Sequence, residues 1–232
     1  TFTSAAEPVA PLHGTERISF HGKHQAGIAT EPAAHVSFLA FDLAAETDKA
    51  ALVRLMRLTT DSANRLTQGD PALADTEPEL ARKPSRLTVT FGFGPRFVDL
   101  AGGKKPSWLK PLPSFSTDEL SEQWSDGDFL VQVSAEDPVA VSHAVRVLSK
   151  DVRSFGTLRW RQDGFRHAAS TLKPGTTMRN LFGQVDGTVN PVPGTAEFAA
   201  VVWASKDWWS GGTSLVLRRI TMDLDTWDPV SR

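Results

Sequence analysis

Two kinds of hydrophobic spacing follow one another along the chain, and their order constrains the fold more than any other feature. Residues 87–93 alternate between apolar side chains and threonine or glycine, as in a strand with one buried face. Apolar residues within 52–66 and 141–152 recur every three or four positions, as in amphipathic helices. With short apolar strands at 36–43, 129–133 and 158–160, the order becomes strand, helix, strand, strand, helix, strand. This order predicts an α+β fold of the split βαβ, or ferredoxin-like, type, with two helices on one face of an antiparallel sheet and the other face free for a partner sheet.

Local signals support both helices. Asp48, or the threonine before it, can accept hydrogen bonds from the free N–H groups at the start of the first helix, and Gly69 suits its end. The dipeptide Asp137-Pro138 favours the start of the second helix, because aspartate caps and proline fits the first turn. His143 falls opposite the apolar stripe of this helix, so we expect it to be exposed.

The pattern divides the chain into three parts. Residues 1–29 are a polar amino-terminal arm without the basic and apolar stretches of a signal peptide, and residues 30–168 hold the first ferredoxin-like half. Residues 169–232 are the start of a second half, with a helix or turn near 196–204 and a strand at 214–224. A half-unit with one strand leaves sheet edges unpaired, so we expect this second half to be incomplete in this chain.

Composition excludes several kinds of site and partner. The 232 residues include no cysteine, which rules out disulfides, thiolate metal sites and a cysteine nucleophile. The formal net charge is -2, so no overall positive field attracts nucleic acid. No apolar run reaches the ~18 residues that a membrane-spanning helix needs. Seven tryptophans and no tyrosine leave tryptophan as the aromatic residue for any electron relay.

One glycine-flanked aspartate is the clearest chemical feature. Gly183 and Gly187 lie three positions before and one position after Asp186, and Asn190-Pro191 follows. The glycines allow the backbone to turn sharply or to approach a flat ligand closely, and the carboxylate could then transfer a proton. The same letters also describe an ordinary Asp-Gly turn, and the spacing alone does not decide between these interpretations.

The sequence around Asp186 resembles the dye-decolourising peroxidases, whose motif is G-x-x-D-G. Arg179-Asn180-Leu181 before the motif and Thr188-Val189-Asn190-Pro191 after it are similar as well. Other family-like stretches are spread over the chain: 24–28, 87–94, 128–132, 158–160 and 215–220. The stretch at 24–28 is most similar to the secreted subgroup. The resemblance implies two tandem ferredoxin-like halves of the dimeric α+β barrel type, with haem held by the second.

The resemblance also implies roles for individual residues. In the family an aspartate lies above the iron of haem (heme b), takes a proton from peroxide and assists O–O cleavage; here it is Asp186. An aspartate with an ordinary pKa of about 3.9 is a base over most of the pH scale, which fits the family's preference for acidic conditions. Gly187, Thr188 and Val189 are then expected to line the haem.

Arg218 and Arg219 are further candidates for haem binding. Alternation along the predicted strand places Arg218 with Val216 and Ile220, and Arg219 on the opposite face. A buried arginine needs an anionic partner, and a haem propionate could provide one, often through two hydrogen bonds. Solvated arginines on an edge strand are the alternative, and the sequence does not choose between the two arginines.

The histidines depart from the family's pattern. All six precede Asp186, whereas the family's proximal histidine, which binds the iron, follows the aspartate motif and is itself followed by a distal arginine. We therefore expect no metal ligand in this chain, with the proximal histidine in a missing carboxy-terminal part, and His24 in a structural role. Three explanations stay open: a separate cleaved polypeptide that accompanies this chain, a shortened chain, or a family member that has lost haem.

The leading functional hypothesis is a haem peroxidase that uses hydrogen peroxide to oxidise dyes, phenolics and similar bulky aromatic donors in one-electron steps. Trp208 and Trp209 are the first relay candidates to test. One alternative is a haem-binding or iron-release protein with little turnover. Another is a haem-free interaction module, with the Pro- and Trp-containing stretch after residue 95 as its binding surface. The subgroup resemblance implies a secreted or extracytoplasmic location, with the signal already removed.

Overall fold

The computed structural model describes residues 13–168, 171–173 and 175–230; residues 1–12 of the amino-terminal arm and the start of the second unit at Ser170 lie outside them. Four strands form one antiparallel sheet in the order β2-β3-β1-β4. The strands are β1 His35–Leu43, β2 Thr88–Phe93, β3 Phe129–Ala135 and β4 Gly156–Phe165. This strand order is that of a split βαβ sheet, and it confirms the predicted ferredoxin-like fold.

Two long helices connect the strands, and the predicted caps hold both. Helix α1 spans Lys49–Thr67, and the side chain of Asp48 accepts a hydrogen bond from the Ala51 N–H at 2.7 Å. Gly69 follows its end with a φ of +78°, a left-handed conformation that favours glycine. Two short helices, α2 Pro78–Ala81 and α3 Pro95–Ala101, lie in the connections. Helix α4 spans Pro138–Val152, and its cap Asp137 accepts from the Val139 N–H at 2.8 Å.

Helices α1 and α4 pack on one face of the sheet, and the hydrophobic core lies between the helices and the sheet. Phe129 on β3 is 1% exposed, and four other phenylalanine rings surround it with centroids 5.6 to 6.4 Å away. Full burial of a ring such as that of Phe129 stabilises the fold by about 1.5–3 kcal/mol. The inward side chains of the strands and of the two helices complete this core: Leu39, Phe41, Val89, Val131, Val133, Leu52, Leu55, Leu66, Val145 and Leu148.

The expectation that His143 is exposed is wrong. His143 is 5% exposed, because the chain between α1 and α2 folds over this part of α4 and brings Asp75 to its ring. The apolar stripe of a helix indicates which face meets the sheet, but a loop can cover a second face.

Residues 24–30 cover part of the other face of the sheet, which the sequence predicted to be free. The Thr90 hydroxyl donates to the Ala26 carbonyl at 2.6 Å, and Gln132 donates to the Gly27 carbonyl at 3.2 Å. Gln25 also occupies the outer edge of β2: its amide donates to the Phe91 carbonyl and accepts from the Phe91 N–H, both at 2.9 Å. The side chain thereby satisfies backbone groups that an edge strand would otherwise expose.

The carboxy-terminal part differs from its prediction in one respect. Helix α5 spans Ala196–Val202, within the region predicted as helix or turn, and a short helix α6 spans Leu224–Trp227. The strand predicted at 214–224 is absent: residues 213–223 have no regular secondary structure and pair with no strand in the described part of the chain. Alternation alone does not make a strand, since a strand also needs hydrogen bonds to a neighbouring strand.

Among the described residues, α1 is the longest helix, and no helix has the length and apolarity required to cross a membrane.

Candidate active site

A small hairpin presents Asp186. Arg179 and Val185 form an antiparallel bridge, the Asn180 N–H donates to the Gln184 carbonyl at 2.9 Å, and the Asp186 N–H donates to the Met178 carbonyl at 3.0 Å. The turn between them includes Gly183, whose φ of +76° favours glycine. The hairpin thus fixes the backbone of Asp186 and leaves its side chain at the end of the ladder.

The Asp186 side chain is exposed and has a single hydrogen-bond partner among the described residues. This partner is the Asn180 amide nitrogen, 3.4 Å from Oδ2, a long and therefore weak contact. Gly187 follows with a φ of +99°, and a β-carbon there would lie 2.9 Å from the side-chain nitrogen of Asn190. The carboxylate is therefore available to a proton donor that approaches from outside the hairpin.

The residues after Asp186 form an accessible apolar surface. Thr188 is exposed, and Val189 is 93% exposed, the highest value among the large apolar side chains. The hairpin is held from behind by Trp227, whose indole N–H donates to the Phe182 carbonyl at 2.9 Å and whose ring meets the Phe182 ring edge-on. Trp227 therefore supports the hairpin that presents Asp186.

Arg218 and Arg219 both contact the stretch after α3. The Arg218 guanidinium pairs with the carboxylate of Asp118 and lies 5.2 Å from the centroid of the Phe115 ring. Arg219 lies over the ring of Trp124, 3.9 Å from its centroid. Hydrogen bonds from the Phe115 backbone N–H and from Arg218 lower the pKa of Asp118 below its ordinary value. No hydrogen bond or ion pair within the described residues joins either arginine to Asp186.

Gly187, Val189 and Arg218 have properties that suit a flat, anionic macrocycle such as haem. Gly187 has no side chain beside the carboxylate and its positive φ disfavours any other residue there, and Val189 offers an exposed apolar side chain. The Arg218 side chain is 44% exposed and carries the charge that an anionic group needs, although in this structure it pairs with Asp118, whose side chain is 7% exposed. Gly187 and Val189 therefore suit one face of such a group, and the two arginines carry the charge that its acidic edge requires.

The histidines in the described part of the chain do not form a metal site. His24 Nδ1 lies 2.6 Å from the Gly211 carbonyl oxygen, and the His24 ring stacks on the ring of Trp203. His143 is buried against Asp75. Within the described residues no three histidine, aspartate or glutamate side chains converge as metal ligands.

Asn180 is the site residue that the sequence analysis passed over. It was recognised only as part of the motif's flank, yet its amide contacts both the hairpin turn and Asp186. The signal is an asparagine two positions before an N–H group that it can bind, the pattern of an Asx turn.

The fold and the hairpin define an α+β protein of ferredoxin-like type that carries an exposed carboxylate beside a glycine in a left-handed conformation. The family models for the amino-terminal and carboxy-terminal parts of the Dyp-type peroxidases match residues 25–166 and 177–232. The chain therefore belongs to the dye-decolourising, or DyP-type, peroxidase family, which consists of haem proteins.

Curated relatives agree with this assignment. The chain is 36% identical over 242 residues to a dye-decolorizing peroxidase of Thermobifida fusca, a match covering 96% of this chain and 56% of the relative. It is 34% identical over 246 residues to a deferrochelatase of Escherichia coli K12, covering 97% of this chain and 58% of the relative. The chain thus spans little more than half the length of these relatives.

Solved structures give the same result. A DyP-type peroxidase from Cellulomonas bogoriensis superposes with a TM-score of 0.90 at 47% identity, over 94% of this chain and 62% of that protein. An oxyferrous complex of DtpA from Streptomyces lividans has a TM-score of 0.88 at 42% identity, over 96% of this chain and 62% of that protein. The relatives carry the matched region and the remaining residues in one chain, so they do not support a separate carboxy-terminal polypeptide.

Proposed function

We propose that this chain provides the peroxide-binding side of a haem peroxidase, with Asp186 as the catalytic residue. The observation that carries the proposal is the position of the Asp186 carboxylate: it lies at the end of a fixed hairpin, exposed, next to a glycine with a φ of +99°. Its hydrogen-bond capacity is largely unused by the described residues, so it can accept a proton from a bound molecule.

The chain's own residues perform the proton transfers in this proposal. The Asp186 carboxylate accepts a proton from one oxygen of hydrogen peroxide and returns it to the other oxygen as the O–O bond breaks and water leaves. Haem, when bound, supplies the electrons for this cleavage. Two aromatic donors then give one electron each, and with two protons the net products are two water molecules and two oxidised donors.

Gly187, Thr188 and Val189 are proposed to contact the haem face, and Arg218 or Arg219 to bind a propionate. The cation–π contact of Arg219 with Trp124 contributes about 0.5–1 kcal/mol at an exposed site, so a charge-assisted hydrogen bond to a propionate can replace it. The histidine that would bind the haem iron is proposed to lie outside the described residues.

The substitution Asp186→Asn tests the assignment, because it keeps the side chain's shape and removes the base. In the complete haem-loaded protein, we expect the rate of reaction with peroxide to fall by about 10²- to 10⁴-fold while the haem absorbance band and haem affinity persist. Asp70→Asn, at an exposed aspartate after α1, is the matched control and keeps full activity. Unchanged peroxide kinetics in Asp186→Asn would remove Asp186 from the mechanism.

Iron release from haem is a second candidate function, and the 34% identity to a deferrochelatase favours it. Peroxide-dependent oxidation of a dye and formation of iron-free porphyrin can be followed on the same haem-loaded sample. Porphyrin formation at a rate that Asp186→Asn leaves unchanged, together with negligible dye oxidation, would favour this candidate over the peroxidase.

We also propose a secreted or extracytoplasmic location, on the basis of the similarity of residues 24–28 to the secreted subgroup. Fractionation of the producing cells tests it, and recovery only with a cytoplasmic marker would contradict it.

A further inference from the structure

Asn180 joins the turn of the hairpin to the carboxylate of Asp186. Its Oδ1 accepts hydrogen bonds from two backbone groups, the Phe182 N–H at 3.0 Å and the Gln184 N–H at 3.1 Å. Its own backbone is bonded as well, since its N–H donates to the Gln184 carbonyl and its carbonyl accepts from the Gly183 N–H. Four hydrogen bonds therefore hold this one residue in place.

These bonds decide which way the amide faces. An amide oxygen can accept two N–H groups but an amide nitrogen cannot accept any, so the oxygen must face the turn. The nitrogen then has to face the other way, toward Asp186 Oδ2 at 3.4 Å. The orientation of the donor follows from the turn and does not depend on the long contact itself.

We propose that Asn180 is a positioning residue for the reaction with peroxide: its fixed amide N–H directs one oxygen of Asp186 and leaves the other oxygen free to take the proton. The inference rests on the proposed function of Asp186. A single donor on Oδ2 restricts rotation of the carboxylate, and the contact can shorten when peroxide orders the site, since catalytic hydrogen bonds are often long before the substrate binds.

Asn180→Asp separates the two roles of this side chain. The new carboxylate keeps the oxygen that accepts from the Phe182 and Gln184 N–H groups, so the hairpin is retained, but it replaces the donor facing Asp186 with an acceptor. We expect the bimolecular rate with peroxide to fall roughly 10- to 100-fold, the equivalent of one hydrogen bond to a charged group. The KM for the aromatic donor and the haem absorbance should stay as they are.

The pH profile gives a readout that a purely structural role would not affect. Two neighbouring carboxylates repel each other when both are ionised, so the pair in Asn180→Asp holds one proton up to a higher pH. The acidic limb of the pH profile of the peroxide rate therefore moves to higher pH. Asn180→Ser is the second variant: its hydroxyl can accept from the turn but is too short to reach Asp186, so the rate falls without the shift of the acidic limb. Asn64→Asp, at a partly buried asparagine on α1, is the matched control and changes neither quantity.

A double-mutant cycle separates this inference from the proposed function. If Asn180 acts through Asp186, then Asn180→Asp combined with Asp186→Asn is no slower than Asp186→Asn alone. Multiplicative losses, or an unchanged rate and acidic limb in Asn180→Asp with haem bound, would overturn the positioning role while leaving Asp186 catalytic. If Asp186→Asn alone leaves the peroxide rate unchanged, the proposed function fails first.

Discussion

His143 Nε2 lies 3.0 Å from Asp75 Oδ1, and the two side chains are 3% and 0% exposed although 68 residues separate them in sequence. An ionised carboxylate can only accept, so the imidazole N–H is the donor. The second oxygen of Asp75 is buried and has no partner in the described part of the chain. This pair ties the loop between α1 and α2 to the middle of α4.

The buried pair predicts a large loss of stability in His143→Ala. Removal of the imidazole leaves the Asp75 carboxylate buried with the Glu77 backbone N–H as its one hydrogen-bond donor among the described residues, which costs roughly 3 kcal/mol. Urea denaturation at neutral pH measures the change. His167→Ala, at an exposed histidine, is the control and should lie within about 0.5 kcal/mol of the original protein. Equal unfolding midpoints for the two variants would contradict the structural role.

Asp151, which is 7% exposed on the inner side of α4, predicts a pH-dependent stability. Burial raises the pKa of its carboxyl above the ordinary value of 3.8, against the opposing effects of a hydrogen bond from Ser62 and the charge of Lys150. The folded state therefore binds the proton more tightly than the unfolded chain. This contribution to stability is present at acidic pH and is lost as the pH rises from about 3.8 through the raised value.

Asp151→Asn removes this titration and tests the sign. The free energy of unfolding of the original protein minus that of the variant should decrease between pH 3.5 and pH 7, measured by urea denaturation at each pH. The same difference for Asp70→Asn, at an exposed carboxylate, should stay flat. A difference that increases with pH for Asp151→Asn would show that the carboxylate is stabilised in its charged form.

We predict that Trp208 passes electrons from bulky donors. Its side chain is 54% exposed, its ring lies 5.5 Å from the Trp209 ring in an edge contact, and its indole N–H donates to the Lys104 carbonyl at 3.0 Å. In Trp208→Phe we expect slower oxidation of large dyes and unchanged oxidation of small donors that can approach the haem. Steady-state kinetics with both donor types measure this, with Trp160→Phe as the control. Unchanged dye kinetics would exclude Trp208 as a relay.

Arg219 is expected to hold the stretch around Trp124 against the carboxy-terminal part. Loss of the cation–π contact in Arg219→Ala should raise the amide hydrogen-exchange rates of residues 115–125 about fivefold, the equivalent of ~1 kcal/mol. Arg153→Ala, at an exposed arginine at the end of α4, should leave them unchanged. If haem displaces Arg219 from Trp124, Arg219→Ala and Arg153→Ala will show the same exchange rates in residues 115–125 once haem is bound. This outcome would favour binding of a haem propionate by Arg219.

The contact between Arg218 and Asp118 predicts a pH dependence of amide hydrogen exchange in the same stretch. Hydrogen bonds from the Phe115 N–H and from Arg218 lower the pKa of Asp118. The contribution of these hydrogen bonds to folding stability is therefore present above the ordinary pKa of 3.8 and is lost as the pH falls through the lowered pKa. We expect exchange of residues 115–118 to accelerate only under strongly acidic conditions. Acceleration that begins near neutral pH would assign the contact to another group.

Much of the first half could be predicted because the signals are local. Alternation identified β2, and two aspartates identified the first turns of α1 and α4, where the structure shows both caps bonded. The motif around Asp186 was also recognised from consecutive residues. The predicted strand at 214–224 failed because a ladder depends on a partner that alternation does not reveal.

The rest of the candidate site could not be predicted, since its contacts join distant segments. Arg218 and Asp118 are 100 residues apart, and the charge of an arginine indicates that it needs a partner but not which one. Gln25 bonds to the edge of β2 from 66 residues away. The amide of Asn180 is an intermediate case: its turn is local, but its direction toward Asp186 depends on how the hairpin closes.

The sequence by itself determined the order of strands and helices, the caps of α1 and α4, and the family to which the Asp186 motif belongs. These features depend on hydrophobic periodicity, on contacts between residues a few positions apart and on consecutive residues of a motif, all of which can be identified from the local sequence. Only the tertiary structure decided that His143 is buried, that Arg218 and Arg219 hold the stretch after α3, and that Asp186 is presented at the exposed end of a hairpin. Those outcomes depend on which distant segments meet when the core closes, and burial and charge pairing are set only at that stage.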